Sequence, residues 1–240
     1  GIIDKEWILL GIFIGSIIGL FASKMVQMTE IPEMVAIFNG FGGIASLMVA
    51  WAALYPELSD FNIRNGHLVG SSNTMLMAII VLSILIGGIT FSGSLVAFGK
   101  LSEKIPGNAY LIPGQRIISS CIVFTLLFVS YRFIFGNATN SNDFIAVIVL
   151  ALMLGIILVI PIGGADMPVV ISLLNSCSGL AACSVGFVLN NNLLIVAGSL
   201  VGASGLILTK IMCKAMNRSL INVLFSSFGA TSHHTRKIEG

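Results

Sequence analysis

Along this chain apolar positions run on for the length of a membrane crossing, stop at short polar punctuation, and resume. A helix rises about 1.5 Å per residue, so roughly 20 apolar residues cross the hydrocarbon core of a bilayer. Stretches near that length fall at 7–23, 34–55, 74–99, 116–135, 143–162, 167–189 and 193–212. Polar residues and turn formers collect between them, as in "SEKIPGN" and "PIGGADMP". The pattern predicts an all-α fold: a polytopic transmembrane helix bundle of about seven spans occupying 1–218. Residues 219–240 then form a polar linker beyond the last span.

Composition agrees with that reading. The chain is 56% hydrophobic and 9% charged, with a mean hydropathy of +1.03, whereas a soluble domain carries about 25% charged residues. The first span lacks a basic start and a small-residue cleavage site, so no cleavable signal peptide is expected. The first residue is Gly1, not Met, which suggests a piece of a longer protein. The 4 cysteines, Cys121, Cys177, Cys183 and Cys213, show no metal-ligand spacing and read as small buried residues without a disulfide. No metal and no nucleic-acid partner is expected; the lipid bilayer is.

Charge sets the orientation. Of 12 Lys and Arg, only Lys5, Arg64 and Arg132 fall on the side that holds the N-terminal end. The rest share the side of the C-terminal tail, so positive-inside reasoning puts that tail in the cytoplasm.

One sentence is written twice. "TEIPEMVAIFNGFGGIAS" and "ADMPVVISLLNSCSGLAA" both give an acid, a proline two residues on, an asparagine seven beyond the proline, then small residues. Pro32 and Pro168 suit the first turn of a helix, where a missing N–H costs nothing. Glu30 and Asp166 lie where a carboxylate meets the helix N-terminal dipole. Asn39 and Asn175 then lie roughly 10 Å deeper, where an amide must find a partner or water. Small neighbours, Ser176 among them, leave room for water. "SGSLVAFGKL" and "AGSLVGASGL" extend the likeness. The expected organisation is a parallel three-helix repeat, about 7–99 and 143–212, joined by a connector helix at 116–135. Gly11, Gly15 and Gly19 space a face for close helix packing.

Other polar residues carry less. Thr90, Ser92 and Ser94 could bond their own backbone, and Arg132 is expected to snorkel. His67, His233 and His234 fall outside every span, and Asn137 begins a glycosylation sequon. Glycine-rich strings such as "VGASG" lie inside an apolar run, not after a strand, so a phosphate-binding loop is not read there. No Ser/His/Asp or metal constellation is present.

The strings "GGADMPVVISLLNSCSGLAA", "LLIVAGSLVGASGLIL", "IMCKAMNRS", "ITFSGSLVAFGKL" and "EIPEMVAIFNGFGGIAS" closely resemble the beta subunit of proton-translocating NAD(P) transhydrogenase. The resemblance covers essentially the whole chain. It implies the membrane domain of an enzyme that couples hydride transfer between NADH and NADP⁺ to proton movement. NADP(H) and NAD(H) would bind soluble domains absent from this sequence, with 219–240 leading toward the NADP(H) domain. The first spans of the usual subunit also look absent. The implied partners are the alpha subunit, with its membrane helices and NAD(H) domain, and a second alpha–beta unit. The implied setting is a bacterial inner membrane or a mitochondrial-type one.

By motif, the resemblance places Asn39, Asn175 and Ser176 on the proton path. It assigns Asp166, Arg218 and Lys214 to the cytoplasmic face that couples the membrane to the soluble domain. Lys210, Lys214 and Arg218, spaced four apart, are read as one face of the last helix. Some family members carry a histidine relay where this chain has Asn39, so a titratable group from the partner subunit is expected instead. Two other classes stay open. A secondary transporter would show charged partners at mid-depth, and a purely structural membrane subunit would need no hydrated polar groups.

Overall fold

The structure, a computed structural model, describes residues 5–63, 74–110, 114–135 and 141–224. Among these every regular element is helical: α1 Lys5–Met25, α2 Ile31–Ile63, α3 Thr74–Leu101, α4 Gln115–Phe135, α5 Ser141–Val159, α6 Met167–Val188, α7 Asn192–Ala215 and the short α8 Leu220–Leu224. Seven of them are long and apolar enough to cross a membrane. This agrees with the expected fold class.

Helix ends follow from local chemistry. Pro161 has no N–H, so the apolar run expected to reach 162 stops being helical at Val159. Short 3-10 turns at Met28–Glu30 and Gly164–Asp166 lead into α2 and α6. Asn190 at φ 51° lets α6 close with the Asn191 N–H donating to the Gly186 carbonyl at 2.8 Å. This is the left-handed C-terminal closure that asparagine tolerates. The Asn191 side chain then caps α7 by accepting from the Leu194 N–H at 3.2 Å.

Helix α3 is central and packs on α2, α5 and α6; α7 packs on α6, and α4 on α5. One apolar cluster joins Ala36, Val96, Val159, Met167 and Val170 at one end; a second joins Leu47, Leu54, Ile80, Phe133 and Phe144 toward the other. Helix α1 has no buried residue. A Cβ on its Gly11, Gly15 or Gly19 would meet nothing within 4 Å, so the close packing expected of them is not made among the described residues. Arg132 does more than snorkel: it pairs with Asp143 at 3.3 Å, tying α4 to α5. His67, His233, His234 and Asn137 lie outside the described residues.

Candidate functional site

Asn39 and Asn175 meet different surroundings. Asn39 on α2 is 7% exposed. Its Nδ2 donates to the Ser94 Oγ of α3 at 2.9 Å, and its Oδ1 is buried without a partner. One turn along α3, the buried Thr90 Oγ1 is also unpartnered. Of the three hydroxyls expected to bond their own helix, only Ser92 does, donating to the Gly88 carbonyl at 3.0 Å. In hydrocarbon each unpaired polar atom is costly, and two of them lie on the α2–α3 interface.

Asn175 on α6 is half-buried, and its side chain hydrogen-bonds none of the described residues; its carbonyl accepts from Ser178. The next residue carries the interhelical link. Ser176, 1% exposed, donates from Oγ to the Gly202 carbonyl of α7 at 2.6 Å. Ser172 and Thr209 meet at 2.9 Å on the same interface.

The coupling candidates gather at one end of the bundle. Asp166 closes the 3-10 turn before α6 and is buried. Arg218 Nε lies 3.6 Å from Asp166 Oδ1. The two motif strings "GGADMP" and "MNRS" are thus brought together. Arg218 is not on the α7 face with Lys210 and Lys214, because α7 ends at Ala215. Asn217 turns left-handed at φ 50°, and the Arg218 N–H donates to the Cys213 carbonyl at 2.9 Å. That turn swings the guanidinium from the helix face toward Asp166. Lys214 stays on the last turn of α7, exposed, and forms no ion pair among the described residues. Glu30, the acid of the first motif copy, is exposed and accepts from the Gln27 N–H at 3.1 Å.

Two side chains that the sequence reading passed over complete this end. Pro161 leaves the Ile157 carbonyl without its helical donor, and Gln115 Nε2 supplies one at 2.9 Å. Lys100, 3% exposed, donates from Nζ to the carbonyls of Ile162 at 2.7 Å, Asn108 at 3.5 Å and Ile160. Pro161 signals the orphan carbonyl at Ile157. Nothing local separates Lys100 from an anchoring lysine.

Among the described residues no three His, Cys, Asp or Glu side chains gather where a metal ion could be held. The glycines of "VGASG" are spent on helix packing: a Cβ on Gly205 would meet the Ser176 Cα at 2.7 Å. They form no loop that could cradle a phosphate.

The family described as NAD(P) transhydrogenase beta subunit matches residues 2–240. Two curated sequences named NAD(P) transhydrogenase subunit beta, one from Rhodospirillum rubrum and one from a named strain of that organism, are each 45% identical over 226 residues. The match takes in 93% of this chain and 47% of each relative, so the chain spans about half the length of the relatives it matches.

Proposed function

Because the chain belongs to the NAD(P) transhydrogenase beta-subunit family, we propose that it forms the membrane part carrying a proton path coupled to hydride transfer between NADH and NADP⁺. The observation that carries the proton reading is the α2–α3 interface, where Asn39 Oδ1 and Thr90 Oγ1 are buried without partners. An amide does not carry a proton; it orients water that does. Asn39 is held by Ser94 with its acceptor oxygen left over, which is the arrangement for ordering a water. Asn175 and Ser176 extend the same role along α6. The titratable group comes from the partner subunit.

Asp166, with Arg218 against it and Lys214 nearby in sequence, receives the state of the NADP(H) domain and biases two docking arrangements. Residues 219–240 lead to that domain, and NADP(H) and NAD(H) bind outside this chain. Lipid, the alpha subunit's membrane helices and a second alpha–beta unit are the proposed neighbours. The setting is a bacterial inner or mitochondrial-type membrane, with the tail in the cytoplasm. Against the transporter reading, the polar groups buried along the crossing of α2 and α3 are an amide and hydroxyls, not charged substrate partners.

The test uses the full-length subunit with its partner subunit in sealed vesicles. Hydride transfer between NADH and NADP⁺ should move protons across the membrane, and collapsing the gradient should change the hydride-transfer rate. Hydride transfer at the same rate with no proton movement overturns the proposal.

A further inference from the structure

Lys100 is a buried charge that the proton path does not use. It belongs to the last turn of α3, and an ammonium has three N–H donors. Three carbonyls take them, from two separate connections: Asn108 between α3 and α4, and Ile160 and Ile162 between α5 and α6. The last carbonyls of a helix lack donors and form the negative end of its dipole, so the end of α5 is where a cation is stabilised.

The same two connections touch again, with the Gly164 N–H donating to the Gly107 carbonyl at 2.8 Å. Two residues further on, Asp166 ends the 3-10 turn and meets Arg218. A cleft of about 500 Å³ opens beside this junction, lined by Lys100, Glu103, Gly107, Gly164 and Ala165. Among the described residues no acid forms an ion pair with Lys100. A methionine of similar length would fill the space without a charge to desolvate. The charge contributes something else: it fixes both loops to α3.

We propose that Lys100 is a positioning residue, whose ammonium clamps the α3–α4 and α5–α6 connections so that Asp166 is presented to Arg218 in its coupling pose. The proposal rests on the function proposed above. It makes the loop pair one unit, so a push on Asp166 reaches α3, the helix that carries Thr90 and Ser94.

The test uses the full-length subunit with its partner in vesicles, with Lys100→Met and Lys100→Arg variants. One measurement is the number of protons moved per hydride transferred. The other is the rate of disulfide cross-linking between Gly107→Cys and Gly164→Cys, with the four native cysteines replaced. A Cβ on Gly107 meets nothing within 4 Å and one on Gly164 meets the Gly107 Cα at 3.5 Å, so both positions accept the change. Lys100→Met should keep hydride transfer while the proton-to-hydride ratio and the cross-linking rate each fall roughly fivefold or more. Lys100→Arg should restore part of both.

Hydride transfer and proton movement that decline in proportion, with cross-linking unchanged, would make Lys100 a structural residue and overturn the proposal. So would a Lys100→Met enzyme that matches the parent in both measurements. If Lys100→Met does not assemble, Lys100→Gln is read by the same two criteria. A parent enzyme that transfers hydride without moving protons overturns the proposed function instead, and the cross-linking rate still judges the clamp.

Discussion

At the crossing of α2 and α3, a Cβ on Gly43 would lie 2.8 Å from the Gly87 carbonyl oxygen and the Phe91 nitrogen. One on Gly87 would lie 2.7 Å from the Gly43 oxygen and 3.1 Å from the Leu47 nitrogen. At the crossing of α6 and α7, a Cβ on Gly198 would lie 2.8 Å from the Gly179 oxygen and 2.4 Å from the Cys183 nitrogen. One on Gly179 would lie 2.4 Å from the Gly202 nitrogen. Gly43 and Leu47 hold the places in the first copy of the motif that Gly179 and Cys183 hold in the second. Both helix pairs therefore close backbone to backbone at equivalent positions.

Their polar groups differ one turn away. Gly40 faces Ser94 in the first pair, and Ser176 faces Gly205 in the second. The hydroxyl has changed sides. With Ser94 on α3, Asn39 gains a partner; with Gly205 in that place on α7, the Asn175 side chain has none among the described residues. One frame thus holds an enclosed amide in one pair and a half-open amide in the other. The helices before each pair are packed differently: α5 packs on α3, while α1 has no buried residue among the described ones.

The sharpest way to break the comparison is at the glycines. Overpacking costs about 1–3 kcal/mol when neighbours cannot yield, and here the neighbours are backbone atoms. Gly179→Ala and Gly198→Ala should each cost about 2–3 kcal/mol, toward the top of that range, and Gly43→Ala and Gly87→Ala somewhat less. Gly42→Ala, with nothing within 4 Å, should cost nothing. Reversible unfolding of the subunit in mixed micelles reads all five. If Gly198→Ala unfolds at the midpoint of the parent chain, the close approach of α6 and α7 is not as described.

Much of this frame is legible in the residues themselves. Pro161, Pro168 and the apolar runs mark helix boundaries, and the twice-written motif marks equivalent positions on α2 and α6. The matching of α3 with α7 is less legible. The shared G-S-L-V string equates Ser94 with Ser199, whereas the contacts put Gly205 in the place of Ser94. Short glycine-rich strings resemble one another cheaply, and only the facing backbone fixes which glycine is used. Arg218 was expected on a helix face because spacing assumes that the helix continues. The left-handed Asn217 ends it, and an asparagine near a helix end is the signal that could have been weighed. Lys100 entered the reading only as one of the charges on the tail side, because burial by distant loops leaves no trace in its neighbours along the chain.

The second test exchanges hydroxyls for methyls. Ser94→Ala removes the sole partner of an amide whose oxygen is already unpaired, at an expected cost of about 1–2 kcal/mol. Ser176→Ala removes a donor from a carbonyl within α7, nearer the ~0.6 kcal/mol average for interhelical bonds in membranes. The same unfolding measurement orders the two. Equal losses would mean that the enclosed amide of the first pair is not specially dependent on its serine.

The third test compares the two acids. The Arg218 guanidinium is half in solvent while Asp166 is buried, so Asp166→Asn or Arg218→Gln should cost about 1–2 kcal/mol of stability. Proton-coupled turnover in the intact enzyme should nonetheless fall about tenfold in either variant. Glu30→Gln touches only an exposed turn and should leave turnover within about twofold. If Asp166→Asn and Arg218→Gln both leave coupling and NADP(H) release unchanged, the coupling surface lies elsewhere.

Among the buried and half-buried polar sites the smallest expected change in stability is at Asn175. Its amide makes no side-chain hydrogen bond to the described residues, and it is half-buried beside Ser176 and Ser178. Replacing it with leucine removes a polar group and adds apolar surface of similar volume, so unfolding should shift by no more than about 0.5 kcal/mol in either direction. Asn39→Leu, by contrast, strands Ser94 and fills an enclosed space, and should be clearly destabilising. If the half-open amide orders water for proton movement, Asn175→Leu should insert and assemble at parental levels and yet slow proton-coupled turnover several-fold. Parental stability with parental coupling would return Asn175 to helix packing and leave the α2–α3 pair alone on the proton path.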